Sequence, residues 1–199
     1  GRGTAPLQAC VDGRVGVGND LNPMAYVLTR AKVDPPSAES VHQRIEALRL
    51  DYDPPETEHV PEKVQMLYHD HTLAQLVYLK REFGLGENGI PADLRSLSQV
   101  DTFVTALLLG IMHGQSGQYL SVSMPNTFSM SEGYVSDYIE EEGLEPPRRD
   151  VFDKLETRLH TIYHDGEPAQ RGHAVFGDAR DLPETLADID DVDGVDLIF

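Results

Sequence analysis

Cysteine occurs once in this sequence, at Cys10, and lysine only at positions 32, 63, 80 and 154. A single cysteine excludes an internal disulfide framework as the source of stability. No apolar run approaches the roughly 20 residues that a helix needs to cross a bilayer. The most apolar stretch, residues 103–112, is about half that length. A basic segment leading into an apolar one, the pattern of a secretion signal, is also missing from the opening residues. These absences lead to the expectation of a soluble, cytoplasmic protein in a reducing compartment, with no membrane partner. What is present, 199 residues with 40% hydrophobic composition, suffices for one core of ordinary size, or for a core plus an appendage.

Positive charge is the second scarcity. Against 34 acidic residues stand 16 basic ones, for a formal net charge of -18. Binding a polyanion draws on patches of lysine and arginine, so this balance is unusual for a protein that holds nucleic acid. One reading is a halophilic source, in which a carboxylate-rich, lysine-poor surface keeps the protein soluble in a salty cytoplasm. The other is that this region does not contact a polyanion.

Along the chain, Gly1-Arg2-Gly3-Thr4 is small and turn-prone, residues 5–11 form a short helical run, and residues 14–20 are β-prone with an acidic end. Pro23, favoured at a first helical position, opens a helix that Asp34-Pro35-Pro36 ends. Helical spacing then recurs over residues 37–50, with Ser37 and Ser40 as candidate caps, and over residues 70–83, 100–112, 131–142 and 150–163. Two further strands are expected at residues 173–178 and 195–199, the second after an acidic link from Asp188 to Asp193. The pattern predicts an α/β framework in two parts, residues 1–35 and 173–199, interrupted by a helical insertion over residues 36–172.

A glycine turn lets the backbone come close to a ligand, and a carboxylate ending the next strand can accept both hydroxyls of a ribose. Gly1, Gly3 and Asp20 have that spacing, with a helix and a strand between them. Asp178, ending a later strand, can accept a hydrogen bond from the exocyclic amine of an adenine ring. The set describes a nucleoside pocket. Each member also has a plainer reading: a Gly-x-Gly pair is common, Asp20 can be a helix cap, and Asp178 can start a helix with Asp181 capping the next turn. A nicotinamide-type loop is disfavoured, because the position where its third glycine would fall is Pro6.

Gly1-Arg2-Gly3-Thr4-Ala5-Pro6-Leu7 resembles the segment after Asp-Pro-Phe in the glycine motif of DNA methyltransferases that modify exocyclic amino groups. Gly18-Asn19-Asp20-Leu21-Asn22-Pro23-Met24-Ala25 is similar to the acidic second motif of that family, and Gly177-Asp178-Ala179-Arg180-Asp181-Leu182 to its third. Val195-Asp196-Leu197-Ile198-Phe199 resembles the strand leading into the family's catalytic Pro-Pro-Tyr loop, and Leu67-Tyr68-His69, residues 101–112, Asn126-Thr127-Phe128-Ser129 and residues 146–159 resemble helices that a subgroup carries between the second and third motifs. The Asp-Pro-Phe strand and the Pro-Pro-Tyr loop themselves are not in the sequence, so no catalytic residue is assigned.

The resemblance implies a Rossmann-like methyltransferase core with a large helical insertion between the second and third motifs, S-adenosylmethionine as cofactor, and DNA as partner, as in restriction-modification systems. It places Gly1, Gly3 and Thr4 beside the methionine part of the cofactor, Asp20 on the ribose, Asp178 on the adenine amine, and Leu21 and Ala179 against the ring. The methyl acceptor would be adenine or cytosine, whose base is flipped out for direct transfer. The alternatives are an RNA or small-molecule methyltransferase, or a non-catalytic interaction module.

Other clusters carry less. His69-Asp70-His71 has metal-ligand residue types but no matching cluster, and a capping or surface role is favoured. His113 is expected at a helix C-terminus as a favourable partial cation, and Cys10 as a packed residue. Residues 121–127 are read as a loop satisfying its own backbone, Arg148-Arg149 as a surface ion-pairing or phosphate-contacting pair, and the aspartates at 188, 190, 191, 193 and 196 as solvated, since they lack the order of a calcium loop. No metal is expected.

Overall fold

The computed structural model describes residues 1–86, 96–124 and 131–187, together with residues 189, 192, 194–196 and 198. A short helix α1 (Thr4–Val11) leads into strand β1 (Val17–Asp20) and helix α2 (Pro23–Val33). A helical body follows: α3 (Ala38–Leu50), the single turn α4 (Glu62–Gln65), α5 (Asp70–Glu82), α6 (Gln99–Ile111), α7 (Glu132–Glu141) and α8 (Val151–Tyr163). The chain then returns through strand β2 (His173–Phe176), a 3-10 turn at Ala179–Asp181 and helix α9 (Leu182–Ala187).

Local chemistry sets most helix starts. The Asn22 side chain accepts from the Met24 N–H, with Pro23 at the first helical position of α2. Ser37 caps α3 by accepting from the Ser40 N–H, Ser98 caps α6 by accepting from the Asp101 N–H at 3.0 Å, and Asp150 caps α8 by accepting from the Asp153 N–H at 3.0 Å. His69 does the same for α5 through Nδ1, 3.1 Å from the His71 nitrogen.

Apolar burial is concentrated among these helices. Apart from Ala31, the members of the main core cluster lie between Val41 and Leu159, and include Ile45, Leu79, Val104, Leu107, Phe152 and Leu155. A second, small cluster joins Tyr26 and Val27 of α2 to Ala106 and Leu109 of α6 and to Ala174 and Phe176 of β2. Helix α6 therefore serves both clusters, which is why it is apolar around most of its circumference.

The expected Rossmann-like core is not what forms. Helix takes 53% of the described residues, and the described sheet consists of two parallel strands in the order β1-β2. A multi-stranded sheet with helices on both faces would carry most of the apolar burial between sheet and helices. Here the helices bury their apolar faces against one another, and the strand pair sits at the margin. The physical reason is the spacing of the apolar residues, helical from Val41 to Leu159, so that the helical stretch holds the core rather than decorating a sheet. The strand expected over residues 195–199 is not found at described residues 195, 196 and 198; Leu197, Phe199 and the link residues Asp188, Asp190, Asp191 and Asp193 lie outside the described residues. Among the described residues, no helix is long and apolar enough to cross a membrane.

Candidate nucleoside-binding edge

Strands β1 and β2 are parallel and in register from Val17 opposite His173 to Asp20 opposite Phe176. Parallel pairing brings both carboxyl ends to one edge, where ligands of α/β sheets bind. Strand β1 ends on Asp20, followed by Leu21 and Asn22, and beyond β2 come Gly177, Asp178 and Ala179. The Gly177 N–H donates to the Asp20 carbonyl at 3.3 Å and ties the two exits together.

The glycine turn reaches the same edge. The Gly1 nitrogen lies 2.5 Å from Asp20 Oδ2. Gly3 is buried at φ 69, in the left-handed region, immediately before α1, and a Cβ there would stand 2.7 Å from the Thr29 Cα. Gly18 is also required by close packing, since its Cβ would lie 2.6 Å from the Thr29 methyl carbon. Absent side chains at 3 and 18 let the turn and β1 both close on Thr29 of α2. Lys32 completes the anchorage by donating from Nζ to the Arg2 carbonyl at 2.5 Å. Thr4 opens α1 with its side chain exposed.

The Asn22 N–H donates to Asp20 Oδ1 at 2.8 Å. The Arg180 guanidinium, then the Arg180 N–H at 2.9 Å, holds the Asp178 carboxyl below its ordinary range. Leu21 is 62% exposed and Ala179 is exposed, so both offer uncovered apolar surface beside the carboxylates. The edge thus combines a glycine turn packed on α2, two hydrogen-bond acceptors and bare apolar flanks, a set suited to hydroxyls, an amine and a planar ring.

Of the residues named from the sequence, Gly1, Asp20, Leu21, Asp178 and Ala179 lie at this edge, Gly3 is buried against Thr29 of α2, and Thr4 follows on the first turn of α1. Asp178 also fulfils its plainer reading, as the cap of the 3-10 turn. Arg180 was missed as a partner of Asp178, although the acid and the base two residues apart were visible, and so was Lys32, which no sequence spacing connects to the turn.

Elsewhere, among the described residues, no group of His, Cys, Asp or Glu is arranged to hold a metal ion. His69 Nδ1 is occupied in capping, and His71 Nε2 lies 3.4 Å from Asp150. Cys10 is fully buried, and burial pushes its thiol pKa up. His113, just beyond α6, differs from its expectation as a partial cation: burial pushes its pKa down, and Nδ1 lies 2.8 Å from the buried Ser121 Oγ. Ser121 Oγ donates to the Val122 carbonyl at 3.1 Å, as a self-satisfied loop would; residues 125–127 of that loop, and with them the Asn126 to Ser129 segment of the resemblance, lie outside the described residues. Arg149 turns inward to the carbonyls of Tyr119 and Ser121, the second contact being 3.1 Å.

No protein-family model matches the chain, and neither does a curated protein or a solved structure.

Proposed function

We propose that the shared carboxyl edge of β1 and β2 binds S-adenosylmethionine, and that the chain serves methyl transfer to an exocyclic amino group of adenine or cytosine in DNA. The observation that carries this reading is the convergence of three separate sequence segments, the glycine turn, Asp20 and Asp178, on one strand edge. Asp20 would accept from the ribose hydroxyls, Asp178 would accept from the adenine amine, and Leu21 and Ala179 would flank the ring. The glycine turn would lie beside the methionine part. The sulfonium charge is favoured beside two ionised carboxylates.

Bound there, the donor would supply a methyl group to an acceptor nitrogen. The contribution of this edge is to fix the donor's orientation. The residues assigned here hold the donor; the target amine is given no partner in this chain.

Equilibrium titration of S-adenosylmethionine against the protein tests the reading. Each carboxylate would give a charge-assisted hydrogen bond, so Asp20→Ala and Asp178→Ala should each weaken binding by about tenfold. No binding by the unaltered protein, or binding indifferent to both substitutions, overturns it. Transfer of labelled methyl to DNA, RNA or small amines separates the acceptors: label in RNA or in a small molecule alone refutes the DNA assignment and leaves the donor site standing.

A further inference from the structure

Asp178 is not open in the protein as it stands. Its Oδ1 accepts from the Arg180 N–H at 2.9 Å, and its Oδ2 accepts from Arg180 Nε at 2.9 Å and also from Arg180 Nη2. An ionised carboxylate has about four lone-pair sites, and one residue takes three of them. The Asp20 carboxylate accepts from the Asn22 N–H through Oδ1 at 2.8 Å and has the Gly1 nitrogen 2.5 Å from Oδ2. The Arg180 guanidinium fills the sites of Asp178 Oδ2, the oxygen that the turn's own N–H leaves free.

We infer that Arg180 is a gate on the candidate site, a side chain that closes on Asp178 when the edge is empty and must swing off it before an exocyclic amine can bind; this rests on the donor site proposed above. The geometry suits a reversible latch. The Arg180 side chain is 87% exposed, so it leaves into water without breaking any packing, while the Asp178 side chain, at 24%, stays in place. The Arg180 N–H contact to Oδ1 belongs to the turn and survives the swing, so Asp178 remains oriented with Oδ2 released. An exposed ion pair is weak, which makes displacement by a ligand feasible, and salt weakens it further. The gate also selects by chemistry. A ring amine can take over Oδ2 as a donor, whereas a ring carbonyl at the same position would face a bare carboxylate and gain nothing from the arginine's departure.

The test compares S-adenosylmethionine binding by the unaltered protein, Arg180→Ala and Arg180→Lys, at low and high salt, with a 6-oxo analogue of the cofactor as control. Thermal melts confirm that the variants fold. At low salt, Arg180→Ala should bind about two- to fivefold more tightly than the unaltered protein, with Arg180→Lys between them, as expected for removing a weak exposed pair. At high salt the difference should shrink toward none, and the 6-oxo analogue should show no gain at either salt. Equal or weaker binding by Arg180→Ala at low salt, or a gain that persists unchanged at high salt, overturns the gate while the donor site stands. Absence of binding in all three proteins overturns both.

Discussion

His113 shows how one side chain's surroundings decide its chemistry. Position alone, just past a helix end, favours the protonated ring, yet burial disfavours charge and lowers the pKa. The sign follows from linkage: the unfolded chain takes up the proton near its ordinary value of about 6.5, and the folded protein resists it to lower pH. The neutral ring therefore contributes stability above that value, and the contribution is lost as pH falls through the folded pKa. His42 acts in the opposite sense, since the Glu156 carboxylate raises its pKa and its contribution is lost as pH rises. The two are separated by substitution. Thermal melts of His113→Gln should show a smaller loss of stability between pH 7 and pH 5 than the unaltered protein, and an equal loss would contradict the assignment. At this scale the sequence was legible only in part: Asn22, Ser37 and His69 are local caps and act within a few residues, whereas the burial of His113 depends on Ser121 and on packing that no local pattern encodes.

Among the elements, α6 has the most to support. It packs Phe103, Val104, Leu107, Leu108 and Ile111 into the main cluster and Leu109 against the small one. Leu107 is 2% exposed, and Leu107→Ala should destabilise the protein by about 2–5 kcal/mol, read from denaturant unfolding. A cost below about 1 kcal/mol would mean that the site collapses around the cavity or that α6 is not central. The helices of the body were readable because an amphipathic face repeats every three to four residues. The strands were readable as strands, but not the extent of their sheet. Pairing of β1 with β2 joins segments separated by the whole helical body, and four residues in each strand carry too little pattern to say how many neighbours they have. The expectation of a larger sheet came from resemblance, and the residues between Val41 and Leu159 pack as helices instead.

For the whole molecule, the consequence is a division of labour. The helical body supplies most of the buried core, α6 and α2 connect it to the strand pair, and the strand pair supplies an edge on which three distant segments meet. The residue types of the site were visible in the sequence, because a glycine turn and acidic strand ends are local features. Their convergence is a property of the fold, and so is the closure of Arg180 on Asp178. The large negative charge, -18, remains the feature least accommodated by a nucleic-acid partner, and it makes the donor site the part of the proposal to test first. The most direct measurement is backbone amide chemical-shift mapping during titration with S-adenosylmethionine. The account predicts saturable shifts at Gly3, Leu21, Asp178, Ala179 and Arg180, with α7 and the far end of α8 unmoved. Shifts confined to the helical body, or no saturable shifts at the strand edge, would contradict it.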